Sequence, residues 1–383
     1  MKVALVAESF LPHTNGVTNS ILRVIEHLTE RGDEALVIAP AAKGGAGPRH
    51  YGAATIARVP SLGCPGYRDV RVSTASEGLV SGILKDFGAD VVHLASPFFL
   101  GWTAVKAAGA LGLPTVAVYQ TEVPAYAQEY RVGWGEPLLW TRVRNIHNRA
   151  TLTLAPSSHA VSRLRALGVE RVRLWARGVD ARRFNPSKRS EALRRSWAPA
   201  GEVVVGYVGR LAPEKRVADL ASLGGIPGLS VVIIGDGPSA ARLRLELPGA
   251  HFTGFLDGED LARAMASLDV FVHCGELETF CQSIQEAQAS GVPTVAPRRG
   301  GPIDLITDGR NGHLYEPGDL DEMVGCVQRL AGDAGLRARY AAHARSTVEQ
   351  RTWRSVCDEL MDHYRDAIDA NSASRTRVAV AAA

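Results

Sequence analysis

Two glutamates, Glu278 and Glu286, with seven residues between them, bracket the start of a helical pattern in the stretch GELETFCQSIQEAQASGVPTVAP at 275–297. Phe280, Ile284, Ala287 and Gly291 recur at the three- and four-residue steps of a helix packed on a sheet, and Gly291-Val292-Pro293 stops it. The apolar run LDVFVHC comes first. Glu278 therefore falls just before a helix N-terminus, and Glu286 roughly two turns along. A solvated carboxylate at that place is also what the helix dipole favours, so the pair acquires chemical meaning only if partners lie elsewhere in the chain.

Residues of opposite charge stand in VGRLAPEKRVADL, where Arg210 and Lys215 flank the Pro213 turn after a strand-like run. Both can reach an anionic group over a sheet edge. A pyrophosphate leaving group requires this, because charge accumulates on its oxygens as its bond to carbon breaks; a solvated basic loop fits the pattern equally well. In HFTGFLDGEDL the backbone of Gly254, Phe255 and Leu256 can read the edge of a base beside an apolar wall. In IIGDGPSAARL, Gly235, Gly237 and Pro238 read as architecture, and Asp236 need bind nothing. The first strand ends in ESFLPHTNGVTNS, without G-x-G-x-x-G. Gly16 there either lets backbone approach a phosphate at a helix start or simply turns the chain into the helix.

No metal is expected. The one literal Asp-x-Asp, Asp319-Leu320-Asp321, follows Pro317-Gly318 at a helix start, where capping explains it. The eleven histidines form neither H-x-x-x-H nor H-E-x-x-H; His13 and His273 could line a cleft, but a satisfied structural histidine fits each better.

The elements that must position these residues alternate regularly. Strand-like KVALVA, EALVIAP, ADVVHLAS and PTVAVYQ are separated by helical patterns such as TNSILRVIEHLTERG and GWTAVKAAGALG. The pattern restarts with EVVVGYVGR, LSVVIIGDG, AHFTGF, DVFVHC and PTVAPRRGG. This is the rhythm of parallel βα units, so the expected class is α/β, with two doubly wound domains in tandem joined near RGVDARRFNPSKRSE. The length of 383 residues suits two domains, and 46% hydrophobic with 22% charged residues is globular. A net charge of +3 argues against nucleic acid as a partner. Five cysteines, an odd number without Cys-x-x-Cys, suggest neither a disulfide framework nor a zinc knuckle and fit a reducing cytosol. There is no 18-residue apolar run, and MKVALVAESF reads as a strand and not a signal peptide. Nothing in the pattern specifies an oligomer.

VGRLAPEK, GDGP, FTGFLD, ETFCQSIQEAQASGVPTVA and GGPIDLITDGRNGHLYEPGD, in that order and approximate spacing, resemble the retaining GT-B glycosyltransferases of family 4. The resemblance covers nearly the whole chain, the tail excepted. NGVTNSILRV, YQTEVPAYA and WARGVDARRFNP look most like bacterial GDP-mannose-dependent α-mannosyltransferases that elongate glucuronosyl-diacylglycerol, and more distantly like sulfoquinovosyl-diacylglycerol synthases. The resemblance implies a GT-B fold of two doubly wound Rossmann-like domains facing a central cleft. Residues 1–183 would bind acceptor, joined by a C-terminal helix at 353–370; 184–352 would bind the nucleotide sugar; and 371–383 would be a mobile tail.

The same resemblance implies roles for residues. Glu286 matches the glutamate that accepts hydrogen bonds from ribose, and Glu278 the one that faces the transferred sugar. The amides of Phe280, Cys281 and Gln282 would serve sugar hydroxyls and phosphate, Arg210 and Lys215 the diphosphate, and Gly16, Gly254 and Phe255 would also contact the donor. Gln120 stands where many relatives have histidine; it can hydrogen-bond a sugar hydroxyl but cannot act as a base near pH 7. The implied mechanism is front-face retention, in which the departing phosphate oxygen takes the acceptor's proton; double displacement through Glu122 is the alternative. The expected donor is GDP-mannose and the acceptor a membrane glycolipid, without cofactor or metal. Alternatives are a UDP-sugar-dependent glycolipid glycosyltransferase, a GT-B-like sugar-nucleotide epimerase and a nucleotide-sugar-binding module without turnover.

In RVGWGEPLLWTRVRNIHNRA, Trp134, Leu138, Leu139 and Trp140 lie close to Arg142, Arg144 and Arg149. Such an edge suits an anionic membrane surface, with indoles at the headgroup level; an ordinary domain helix with buried tryptophans fits as well. The expected location is cytoplasmic, peripheral at the inner face of the cell membrane.

Overall fold

The computed structural model describes residues 1–45, 47–64, 67–121 and 136–382. Among these, 1–121, 136–176 and 356–382 make one compact unit and 177–355 the other.

The first unit is built on a sheet whose spatial order is Val172–Leu174, Leu152–Ala155, Thr115–Val118, Val91–Ala95, Lys2–Ala7, Glu34–Pro40, Ala54–Val59 and His50–Tyr51. All neighbours are parallel except the last pair. Its central strands are nearly continuous apolar runs buried on both faces, as parallel strands covered by helices must be, with the buried His93 bonded to Tyr364 OH. The helix Gly16–Arg31 starts where Asn15 accepts from the amides of Val17 and Thr18, and Gly32, at φ 76°, ends it. Its face of Ile21, Val24, Ile25 and Leu28 is wholly buried. From Lys2–Ala7 the chain winds towards one edge and from Val91–Ala95 towards the other, so these neighbours mark the topological switch.

The second unit repeats the plan, in the order His251–Gly254, Leu229–Ile234, Val203–Val208, Val270–Val272, Thr294–Pro297 and Gly312–Tyr315, all parallel. Val205, Tyr207, Ile233, Val272, Met323 and Val327 lie in its core. Here the switch falls between Val203–Val208 and Val270–Val272. A Cβ on Gly235 would stand 1.9 Å from Gly209 O, so the GDGP turn is a close backbone crossing, and Asp236 serves it by accepting from its neighbour Gly237. Asp319 caps the helix Leu320–Gly332 by accepting from Glu322 N, 2.8 Å, as the Asp-x-Asp reading anticipates.

The division between units falls a few residues before the expected join at 183. Trp175, buried, donates to Val356 O within the first unit, whereas Val179 bridges Thr352 within the second. The last helix, Trp353–Ala382, runs past residue 370, where the sequence pattern suggested that order ended. Tertiary anchors account for part of this extension: Asn371 donates to Gly112 O at 2.9 Å, and Arg375 packs against Gly112.

Candidate active site

The two strands at the switch of the second unit each deliver a loop. After Val203–Val208 the chain turns through Pro213–Lys215 into Arg216, which sits at φ 51°. After Val270–Val272 come His273 and a loop to the helix Gln282–Ala289. The two loops meet where Lys215 Nζ lies 2.6 Å from Glu278 Oε1, the side chains being only 19% and 13% exposed. His273, at the strand end, places Nε2 3.1 Å from the same oxygen. Burial opposes charge on Glu278, but Lys215 and then His273 outweigh it and hold its pKa down to about 2. Burial likewise opposes protonation of His273; the Cys281 sulfur and the Glu278 carboxylate overcome it and raise its pKa to about 10.

Arg216 fastens the same loops one step further out. Its guanidinium contacts Asp219 at 2.9 Å and Glu276 at 2.6 Å, and Arg299 reaches the other oxygen of Glu276 at 3.1 Å. Glu278 is also held by its backbone, its carbonyl accepting from Gly301 N at 2.8 Å. Gly300, at φ 69°, and Gly301 lie so close that a Cβ would stand 2.5 Å from Glu278 O or 2.1 Å from Phe280 O. The Gly-Gly-Pro of this chain is therefore a backbone shelf under the glutamate.

The helix Gln282–Ala289 begins after Cys281, whose backbone is left-handed at φ 79° and whose side chain makes no capping bond. Ile284 and Ala287 are fully buried, as the sequence periodicity requires. Three glutamines at three-residue spacing clamp the rest: Gln282 and Gln285 donate to the carbonyls of Gly178 and Arg177, both at 3.0 Å, and Gln288 to Leu305 O at 2.6 Å. Glu286 is the fifth residue of this helix, a little over one turn in, because the helix starts later than the pattern indicated. Burial raises its pKa to about 8, with Arg183 acting against the shift and Asp180 with it. Arg177 is buried as well, which lowers its pKa to about 10 while Glu278 acts against the change.

A buried carboxylate kept ionised beside a lysine and an imidazole can face a cationic or polar reacting group. The donor atoms of His273, Glu278 and Cys281 lie within 4.8 Å of one another, close enough to share a metal ion. However, Glu278 Oε1 already carries the Lys215 ammonium at 2.6 Å, and a dication beside that ammonium is electrostatically disfavoured.

A sequence model described as Glycosyltransferase Family 4 matches residues 14–183, and one described as Glycosyl transferases group 1 matches residues 189–347. Over 370 residues, 96% of this chain and 89% of the other, the protein is 47% identical to a GDP-mannose-dependent alpha-mannosyltransferase of Corynebacterium glutamicum. The chain belongs to glycosyltransferase family 4. This glycosyltransferase is also 34% identical to a sulfoquinovosyl transferase of Arabidopsis thaliana, over 96% of its own length and 74% of that protein. A sucrose-phosphate synthase from Thermosynechococcus elongatus matches its fold with a TM-score of 0.82 at 19% identity, covering 96% of this chain and 99% of that one. Its two Rossmann-like units are those of the GT-B fold.

The other residues singled out in the sequence of this glycosyltransferase are spread over both units. Arg210 is exposed, its carbonyl accepting from Tyr207 OH at 3.1 Å. Gly254, at φ 78°, ends its strand with its carbonyl bonded to Gly235 N, and Phe255 beyond it is 70% exposed. Phe280 and Cys281 are buried. Gln120 is buried in the first unit, and Gly16 opens a helix whose next two amides Asn15 already serves. Trp134 and Glu122 lie outside the described residues. Trp140 is covered by Arg163 at 4.4 Å and donates to Glu136, while Arg142 and Arg149 stack on Trp102 at 4.7 and 5.2 Å. Arg144 is exposed, as is Leu138. No helix among the described residues is long and apolar enough to cross a membrane.

The sequence alone does not single out Arg216, Glu276, Arg299 or the glutamine clamp, and it favours a structural His273 over one that lines a cleft. The glutamines left a signal: Gln285 and Gln288 are polar residues on a core-facing stripe, where they must find partners. Arg216 left none, since its partner Glu276 is 60 residues away in the chain.

Proposed function

We propose that this glycosyltransferase moves mannose from GDP-mannose, with retention of configuration, to a membrane glycolipid such as glucuronosyl-diacylglycerol. The observation that carries the chemistry is the Lys215–Glu278 contact at the switch of the second unit. It couples a cation suited to a leaving diphosphate with a carboxylate suited to a sugar that flattens towards an oxocarbenium ion. The donor rests on a relative described as GDP-mannose-dependent, and the acceptor on the resemblance of NGVTNSILRV, YQTEVPAYA and WARGVDARRFNP to enzymes that elongate glucuronosyl-diacylglycerol.

In this reading Arg210 and Lys215 meet the charge that grows on the diphosphate, whose leaving oxygen takes the acceptor's proton. Glu278 faces the mannose, with the amides of Phe280, Cys281 and Gln282 on its hydroxyls and phosphate. Glu286 accepts from ribose, while Gly254 and Phe255 border the base. Gly16 and Gln120 of the first unit keep the roles the resemblance implies, donor contact and a hydrogen bond to a sugar hydroxyl. The enzyme is cytoplasmic, docks on the anionic inner face of the cell membrane through the stretch that contains Trp134, Trp140, Arg142 and Arg144, and needs no metal; full activity in EDTA tests this last point.

A thermal-shift panel of GDP, UDP, ADP and their sugars tests the donor. Ligand at about 100 times its dissociation constant adds ~2.7 kcal/mol of stability. GDP-mannose should stabilise most; a larger shift with UDP-glucose would transfer the assignment to a UDP-sugar.

A further inference from the structure

Lys215 has three N–H donors but a single charge, and a bound diphosphate would share that charge with Glu278. At 2.6 Å from Glu278 Oε1 it is the carboxylate's closest cation, and a diphosphate that takes up part of its charge weakens that support. Glu278 is buried, and burial alone favours its protonated form. A neutral acid at that point would no longer favour positive charge developing on a sugar.

One further basic group is built against the same oxygen. His273 is 2% exposed, its Nε2 stands 3.1 Å from Glu278 Oε1, and neither ring nitrogen has an aligned hydrogen bond. Its position is set by the fold. Its amide donates to Val295 O at 2.9 Å, its carbonyl accepts from Tyr315 OH, and Tyr207 stacks on the imidazole with centroids 6.3 Å apart and planes 16° from parallel. Gly275 leaves room for it, since a Cβ there would stand 3.0 Å from Nε2. The titratable groups around the ring are Glu278, Lys215, Cys281, Tyr207 and Tyr315.

We propose that His273 is a positioning residue: a buried imidazolium that keeps Glu278 ionised and aimed when the donor diphosphate takes up part of the Lys215 charge. The proposal rests on the reading in which Glu278 faces the transferred sugar and Lys215 the diphosphate.

Three variants of the full chain, His273→Gln, Glu278→Gln and Lys215→Ala, are assayed with GDP-mannose and glucuronosyl-diacylglycerol between pH 5 and 9. In His273→Gln the donor KM should stay within about twofold. Its kcat should fall at least tenfold at pH 6 and recover partly at pH 9, with the acid limb moved up by a unit or more. A kcat that is unchanged, or that falls equally at every pH, overturns the proposal. Glu278→Gln separates the two levels: retained kcat there sinks the underlying reading, whereas its collapse beside a wild-type pH profile in His273→Gln sinks only this inference. Should His273→Gln not fold, histidine-selective ¹⁵N labelling of the wild-type enzyme decides: an imidazolium at pH 8 with and without GDP is expected, and a neutral ring overturns the proposal.

Discussion

Lys215 and Glu278, 63 residues apart in the chain, form a contact of 2.6 Å that ties together the loops of the two strands at the switch of the second sheet. Because the pair is mostly buried, removing Lys215 leaves the Glu278 carboxylate to His273, a loss below the ~3–5 kcal/mol of a buried charge left with no partner. If Lys215 meets charge that grows in the transition state, its loss appears in the chemical step. Lys215→Ala should therefore lower kcat at least tenfold, with ~1.5–3 kcal/mol for a charge-assisted hydrogen bond, and change donor KM little. Steady-state kinetics with varied GDP-mannose measures both; an unaltered kcat would remove Lys215 from the leaving-group role.

The shelf beneath the glutamate gives a second test. In Gly301→Ala the new methyl group would meet Phe280 O at 2.1 Å, so the backbone must move. Overpacking of this kind costs about 1–3 kcal/mol, and a misplacement of ~1 Å near reacting atoms costs about a hundredfold in rate. The variant should melt several degrees lower, at ~2–4 °C per kcal/mol for a domain of this size. It should also lose more activity than its lowered stability explains at a temperature where it remains folded. Wild-type kcat in the folded variant would show that Glu278 does not depend on the shelf.

Glu286 supplies a pH dependence. Its pKa rises from 4.5 to about 8 on folding, so the folded state binds the proton more tightly than the unfolded one. The resulting stability is fully present below 4.5 and lost as pH rises through 8. The melting temperature of wild type relative to Glu286→Gln should fall between about pH 5 and 8. If ionised Glu286 receives the ribose hydroxyls, GDP binding at pH 7 should also release close to one proton, read by calorimetry in buffers of different ionisation enthalpy. A constant difference in melting temperature would place Glu286 in the ordinary carboxylate range.

The helix Glu136–Arg149 tests the membrane reading. Arg144 is exposed, whereas Arg142 stacks on Trp102 at 4.7 Å. A basic residue near an anionic surface contributes ~1 kcal/mol, so replacing both with alanine should weaken co-sedimentation with phosphatidylserine vesicles more than tenfold. Added salt should weaken wild-type binding in the same direction. Unchanged sedimentation of the folded double variant would leave these arginines a purely structural role.

The order of βα units, the two doubly wound sheets and the place of the Glu278–Glu286 helix were legible in the amino-acid sequence. Each rests on local regularities: apolar runs of strand length, helical steps at Ile284 and Ala287, and glycines where turns must fall. Helix ends were less legible. The delayed start at Gln282 depends on the left-handed backbone of Cys281, which no side-chain pattern announces, and the extension beyond residue 370 is anchored in part by Gly112, far away in the chain.

Charge pairing belongs to the tertiary structure alone. Arg210 and Lys215 looked equivalent in sequence, yet one is exposed and the other lies against Glu278. His273 looked like any core histidine until the strand order put it beside that same oxygen, and Arg216 acquired its role from Glu276 and Asp219. The physical reason is range. Propensity and periodicity act between residues a few positions apart, whereas the ionisation of a buried group depends on which charges the sheet order brings within a few ångströms of it.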